Sequence, residues 1–486
     1  MLRLLKQIFM KNLPITNHNR IALIGVTEKF GRFSLDLEKI GFEVFWVTAR
    51  RSDARLIKKK LSVPSCKILD VTENFNEKDA AKELNIEKSR KVLKELETEN
   101  SPRIYDIILM DRFLRQRTTN HALIYLEHIY KELSEFLTIN EISIICSGRD
   151  TALQLISMLI GKKLDILWVV PTRLRIPLDN YGFCIGHETN QFIRFFQSTL
   201  EDRLWAEKVL EAYEKNYYRP ALKKATRTFY DVLKMMPEHL NAFWTLIIFS
   251  YWDWGNLYAR YSLLKIIRMY ISRRINLLSY NIFRCYRTVG SNPYCLYALH
   301  TQPESSIDVA GSFFSNQIAL ITFISRSLPV SHELYVKVHP TDVDGKSFGF
   351  YNRISKIPGV RLINYNINSR QLLQKASIIF TLTGTIGYEA GLLGKSVVTF
   401  AKNFYNDLPT VIYCDAPPKL PQIVNDILTQ SSTVNLRERI IDFLVDYRGK
   451  IFDGEFNRAY GEHPGPLLKD DLLTLQKAFL EIHKKL

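Results

Sequence analysis

The stretch from Phe380 to Phe400 constrains the fold of this chain more than any other. Residues 377–382 form a short apolar run of the kind buried in a parallel sheet. Thr383, Gly384 and Thr385 interrupt that run with small side chains. Ile386, Glu389, Ala390 and Leu393 then recur at helical spacing, Gly394 supplies a stop, and residues 397–400 read as the next strand. The unit is therefore strand, loop, helix, strand. A small-residue loop that feeds a helix start presents backbone N–H groups and the positive end of the helix dipole, which suits an anionic group such as phosphate. A βαβ turn with no ligand has the same local pattern, so the neighbouring segments decide what it does.

The rest of the chain repeats the alternation. Residues 20–26 read as a strand, 31–40 as a helix and 43–47 as a second strand. A strongly charged helix is expected around 85–99. The apolar runs 104–110, 142–146 and 166–170 read as further strands, separated by helices at about 120–137 and 150–161. Strands resume at 294–299, 334–338, 361–363, 377–382, 397–400 and 411–413, with helices at about 315–327, 369–375 and 421–428, and two more at about 436–447 and 472–486. Alternation of this kind predicts an α/β fold of doubly wound parallel sheets. Between the two α/β regions the strands disappear and aromatic residues multiply. The expected organisation is a first domain over 1–190, a helical connector over 191–290, a second α/β domain over 291–435 and C-terminal helices over 436–486, with a cleft between the domains.

Composition narrows the function. At 486 residues and 46% hydrophobic content, the chain is long enough for two or three real cores. Its six cysteines are scattered without a CxxC pair, which argues against a disulfide framework or a zinc site and fits a reducing compartment. The net charge is +16, and between Glu211 and Gly290 there are 13 lysines and arginines against 5 acids. Such a surplus serves nucleic acid, anionic lipid or an anionic substrate. No nucleic-acid motif accompanies it, so nucleic acid is not expected as a partner. Gly25 and Gly31 do not complete a dinucleotide fingerprint, and no P-loop is present. The first residues are too short and interrupted for a signal peptide, and no apolar run approaches the roughly 18–20 residues of a spanning helix.

Ligands bind in doubly wound sheets past the carboxyl ends of the strands. In the first domain, two loops there carry arginines suited to a carboxylate or phosphate: Arg149, beside Asp150, and the pair Arg173 and Arg175. Surface or structural roles for these arginines fit the sequence equally well. In the second domain, three loops after strands share one edge of the sheet. The first holds His300, Thr301, Gln302, Pro303 and Glu304. The second holds Lys337, His339 and Pro340. The third is the Thr383–Thr385 loop, with Glu389 one turn beyond it. Pro340 halts its strand and fixes the backbone next to His339, whose imidazole can donate to a phosphate oxygen or carry a proton. Glu304 offers a carboxylate as base or nucleophile.

Taken together, the motifs around Gln302 to Glu304, Lys337 to Pro340 and Thr383 to Lys395 resemble those of the capsular polysaccharide biosynthesis glycosyltransferases, the group that includes the β-Kdo transferases with their Gln-Pro-Glu and His-Pro signatures. The resemblance is dense from Tyr294 to about Leu428 and loose in the first domain; the connector has no counterpart in it. It implies a GT-B-like fold, two Rossmann-like domains facing a cleft. It also implies a CMP-activated sugar acid such as Kdo as donor, transferred to a glycan or glycolipid acceptor. On this reading Glu304 and His339 are catalytic, and Gln302, Lys337, Pro340, Thr383, Gly384, Thr385 and Glu389 surround the nucleotide-sugar. Arg149, Arg173 and Arg175 face the acceptor or a carboxylate. Thr301 stands where an aromatic residue commonly precedes Gln-Pro-Glu, which loosens the assignment of the donor. Two alternatives stay open: a UDP-sugar or CDP-polyol dependent transferase of the same fold, and a non-catalytic scaffold of a polysaccharide assembly complex.

Neither a cofactor nor a metal is expected. Asp342 and Asp344 make a DxD triplet, but a monophosphate-activated donor needs no diphosphate clamp. The expected location is cytoplasmic, peripheral at the inner face of the cell membrane. There the connector residues Tyr258, Arg260, Lys265, Arg268, Tyr270, Arg273 and Arg274 would meet an anionic leaflet. A packed helical subdomain with a solvated basic side fits the same residues.

Overall fold

A computed structural model describes residues 19–25, 31–73, 75, 86–174, 176, 180–215, 261–429, 435–453 and 477–482. Two sheets organise them. The first has the strand order β13-β6-β5-β4-β1-β2-β3, and the second β12-β11-β10-β7-β8-β9. In chain order the strands are β1 (Arg20–Ile24), β2 (Glu43–Thr48), β3 (Ile68–Asp70), β4 (Ile144–Ser147), β5 (Leu167–Leu174), β6 (Asn180–Cys184), β7 (Tyr294–Ala298), β8 (Glu333–Lys337), β9 (Val360–Ile363), β10 (Ile379–Thr381), β11 (Val397–Thr399), β12 (Val411–Tyr413) and β13 (Phe452–Asp453). All pairings are parallel except β5 with β6 and β6 with β13.

The expectation of two doubly wound α/β units holds. Each sheet carries buried clusters on both faces, because the middle of most of its strands is apolar on both sides. In the second sheet the chain winds outward from β7 through β8 to β9, then restarts at β10 and winds the other way to β12. The strand order therefore reverses between β7 and β10, which opens a crevice at their carboxyl ends. In the first sheet the reversal lies between β1 and β4.

One strand expectation is corrected. Ile104–Met110 is a helix. Ile104, Ile107 and Ile108 are buried while Tyr105 and Leu109 are exposed, a helical and not an alternating pattern. As a half-buried strand the run would have turned Asp106 inward together with Ile104 and Ile108. The expected strands also omitted β3, β6 and β13.

Of the expected connector, 216–260 lie outside the described residues, and with them Tyr258 and Arg260. Its described parts include the helices Leu200–Glu214 and Leu263–Phe283. The first packs along Leu436–Arg448 of the C-terminal part. Beyond that helix the chain returns to the first domain. β13 adds to the edge of the first sheet, and residues 477–482 bury Ala478, Phe479 and Ile482 against Phe33, Phe42 and Phe183. The outgoing and returning passages run side by side: the amides of Phe195 and Phe196 both donate to Gly449 O, at 2.8 and 3.1 Å. No described helix is long and apolar enough to cross a membrane.

Candidate active site

The crevice between β7 and β10 is where the sequence motifs meet. β7 ends at Ala298, and two residues later the chain delivers His300 to the foot of the Thr383–Thr385 loop. The amide of Leu382 donates to His300 Nε2 at 3.2 Å, and Thr381 Oγ1 lies 3.3 Å from the same nitrogen. An Nε2 that accepts from an amide leaves the ring proton on Nδ1. Burial, reinforced by the neighbouring His339, pushes the His300 imidazole down to about 3. His300 is thus a neutral ring of fixed tautomer at the centre of the site.

The loop after His300 is held by an internal network. Gln317 is 2% exposed. Its Oε1 accepts from His300 N at 2.8 Å, and its Nε2 donates to His300 O at 3.0 Å and to Gln302 Oε1 at 2.7 Å. Gln302 Nε2 in turn donates to Asp308 Oδ1 at 2.7 Å and to Ser315 O at 2.9 Å. Asp308 Oδ2 accepts from Glu304 N at 3.0 Å, and Thr301 Oγ1 donates to the Glu304 carboxylate at 2.8 Å. Gln302 therefore spends both ends of its amide on the protein. Glu304, partly buried at the loop apex, has one carboxylate oxygen fixed by Thr301. A cavity of about 360 Å³ lies behind this loop, bounded by Gln302, Gln317, Phe350 and Arg353.

The second motif comes from β8. His339 Nδ1 accepts from the amide of Thr341 at 3.3 Å and faces Thr341 Oγ1 at 2.9 Å, which leaves Nε2 to carry the ring proton. β8 ends at Lys337, three residues before Pro340. Lys337 points the other way. It is 4% exposed, its Nζ donates to Tyr365 O at 3.2 Å and Val338 O at 3.5 Å, and burial pulls its ammonium down to about 8. Asp342 and Asp344 lie near cations but beyond hydrogen-bond distance, Lys346 Nζ 3.8 Å from Asp342 and Arg273 3.9 Å from Asp344, and burial pushes the Asp342 carboxyl up.

The third motif is the start of the helix Thr385–Leu392, capped by Gly384. Gly384 N donates to Thr381 Oγ1 at 3.0 Å, and Tyr405 OH donates to Gly384 O at 2.9 Å. These bonds fix the loop at the start of the helix beside His300, where Gly387 N donates back to Gly384 O at 3.0 Å. Glu389 is partly exposed on the same helix. Gly394, at φ +73°, closes the turn after it, as the sequence anticipated.

The first domain approaches this edge through Asp150, whose Oδ1 accepts from Ser305 Oγ at 3.3 Å, next to Glu304. Further along, Lys402 pairs with Glu188 at 3.2 Å, and Thr189 Oγ1 donates to Asn403 Oδ1 at 3.4 Å. Arg149 does not reach Glu304 or His339 through any contact described. Its guanidinium donates to Thr172 Oγ1 at 3.1 Å, to Glu188 O at 3.4 Å and toward Cys184 Sγ at 3.6 Å. Arg173 lies on β5 with no described side-chain environment, and Arg175 lies outside the described residues. Sequence reasoning missed Gln317 and gave His300 no role. The signal for His300 was its place immediately after a buried strand; Gln317 left none.

Three comparisons bear on this geometry. Residues 258–408, which span all three motifs, match the family described as "Capsule polysaccharide biosynthesis protein", so the resemblance read from the motifs holds over that segment. Among curated proteins, the capsule polysaccharide modification protein LipA of Neisseria meningitidis serogroup B is 33% identical over 73 residues. That match covers 15% of this chain and only 10% of the relative's length. Among solved structures, the β-Kdo 2,7 transferase of Thermosulfurimonas dismutans KpsC aligns over 72% of this chain and 90% of its own, at 11% identity and a TM-score of 0.32. The UDP-GlcNAc 2-epimerase of Methanocaldococcus jannaschii aligns over 87% of this chain and 99% of its own, at 15% identity and a TM-score of 0.26.

Proposed function

We propose that this chain is a glycosyltransferase of capsule polysaccharide assembly, of GT-B type, that moves a CMP-activated sugar acid such as Kdo onto a glycan or glycolipid acceptor. The observation that carries the reading is the convergence of Glu304, two histidines of defined tautomer and a helix start at one strand-reversal crevice, inside the segment that matches the family. The preference for CMP rests on the Gln-Pro-Glu and His-Pro motifs.

In this mechanism the donor phosphate sits against the first-turn amides of Thr385–Leu392, with His339 Nε2–H as a further donor. Glu304, oriented by Thr301, takes the proton of the acceptor hydroxyl as that oxygen bonds the anomeric carbon. CMP departs with its phosphate charge spread over the same donors. His300 stays neutral and supports the loop without adding a proton. A monophosphate-activated donor needs no diphosphate clamp, so transfer is expected to proceed without a divalent ion at the Asp342–Asp344 triplet. No cofactor beyond the nucleotide-sugar is required.

A thermal-shift panel of CMP, CDP, UDP and GDP tests the donor. Stabilisation by CMP above the others is expected, about 2.7 kcal/mol at a hundredfold excess over the dissociation constant. His339→Ala should weaken CMP binding by about 1.5–3 kcal/mol. Glu304→Gln should keep that binding and lose transfer. Preference for UDP or CDP would replace the donor, and transfer undiminished in Glu304→Gln would remove Glu304 from the chemistry.

A further inference from the structure

Among the described residues, the helix Leu263–Phe283 is anchored along one side. Asn276 Nδ2 donates to Asp344 O at 3.0 Å, Tyr280 is 1% exposed against Tyr286 and Tyr351, and Phe283 packs on Phe348. Arg273 belongs to this anchored side through Asp344. The opposite side is apolar and open. Leu264, Ile267, Ile271, Ile275, Leu278 and Ile282 are each between 42% and 81% exposed. Their spacing of three and four residues places them on one stripe about 80° wide at 100° per residue. Arg268 flanks the stripe on one side and Arg274, lying over the Tyr270 ring at 5.0 Å, flanks it on the other.

The charge pattern indicates what covers the stripe. From residue 254 to residue 303 there is no Asp or Glu, against seven Lys and Arg. A second copy docked stripe to stripe would bring these arginines against their own copies with no acid on either helix to offset them. An anionic lipid surface satisfies both elements at once: the isoleucines and leucines enter the acyl boundary, and the flanking cations meet the headgroups. The helix is not apolar enough to cross the bilayer, so it lies in the interface.

We propose that Leu263–Phe283 is an interfacial helix that docks this protein on an anionic membrane leaflet, with Leu264, Ile267, Ile271, Ile275, Leu278 and Ile282 inserted and Arg268 and Arg274 on the headgroups. Lys265 and Arg273, expected from the sequence to share this role, lie on the other side of the helix, Lys265 at the angle of Phe283 and Arg273 3.9 Å from Asp344. The inference does not depend on the identity of the donor.

Sedimentation with vesicles tests it on the full chain. Pelleting is expected with phosphatidylcholine vesicles containing about one-quarter phosphatidylglycerol and not with phosphatidylcholine alone. The pairs Ile271→Glu with Ile275→Glu, and Arg268→Glu with Arg274→Glu, should each weaken that binding at least about tenfold. Because all four side chains contact solvent, both variants should keep the parent's melting temperature. Equal pelleting on neutral vesicles, or an Ile271→Glu/Ile275→Glu variant that pellets like the parent, overturns the proposal. So does a dimer in vesicle-free buffer that this variant dissolves, which would assign the stripe to a second copy.

Discussion

Gln317 carries no charge and no reactive atom, yet three of its hydrogen bonds hold the loop that presents His300 and Glu304. In Gln317→Leu, the amide and carbonyl of His300 and the Oε1 of Gln302 lose their partner, and a buried group left unsatisfied costs about 1–3 kcal/mol. Transfer should fall by at least about tenfold, the rate equivalent of 1.4 kcal/mol. CMP binding through His339 should change less, so the ratio of turnover to affinity separates positioning from general unfolding. Parent-like turnover would mean that the loop holds itself. Lys337 makes a different prediction. The unfolded chain holds its proton up to about 10.5 and the folded chain only up to about 8. Below pH 8 both states are protonated and the fold bears the full cost of a buried charge. Between 8 and 10.5 the folded state has released the proton first, so stability rises with pH. Lys337→Met removes that cost. Its gain over the parent should be of order 3 kcal/mol at pH 7 and shrink toward pH 10.5, as read by urea unfolding. A gain that stays constant with pH would show that the charge is not what the site pays for.

At the scale of elements, the second domain was legible because most of its strands are short apolar runs followed by a turn former, Pro340 beyond β8 and Gly384 beyond β10. The helix Thr385–Leu392 showed itself through its small N-terminal residues and Gly394. The segment 104–110 was not legible in the same way, because seven apolar-rich residues suit a buried strand and a buried helix alike, and only the exposure of Tyr105 and Leu109 separates them. Gln302 looked like a ligand contact because its motif resembles one; that its amide is consumed by Gln317, Asp308 and Ser315 depends on residues up to fifteen positions away. The stripe on Leu263–Phe283 was present in the spacing, but arginines and tyrosines drew the reading away from the isoleucines. Gly384 shows how tightly two elements meet. Its φ is −66°, so no backbone requirement demands glycine. A Cβ there would stand 2.7 Å from Thr381 Oγ1 and 3.0 Å from His300 Cε1. Gly384→Ala should therefore displace His300 and cost about 1–3 kcal/mol in stability. Calorimetric melting together with CMP titration would check it, and an unchanged melting point with full CMP affinity would mean that the imidazole yields without consequence.

For the whole molecule, the chain's later residues matter to its first domain. Phe479 is fully buried among Phe33, Phe42 and Phe183. Phe479→Ala should lower stability by about 3–5 kcal/mol. The loss should register in the unfolding of the first sheet, followed by hydrogen exchange at β1 and β2; protection there equal to the parent's would show that the seat is dispensable.

The neighbouring passages at Phe195, Phe196 and Gly449 have a mechanical consequence. Because the chain leaves and re-enters the first domain at one place, the second domain is tethered at both its entry and its exit, and neither end parts from the first domain without breaking the bonds to Gly449 O. At the active-site edge, Ser305 Oγ donates to Asp150 at 3.3 Å and Val309 enters the first domain's core, so the loop that carries Glu304 is held against the first domain by packing as well as by a hydrogen bond.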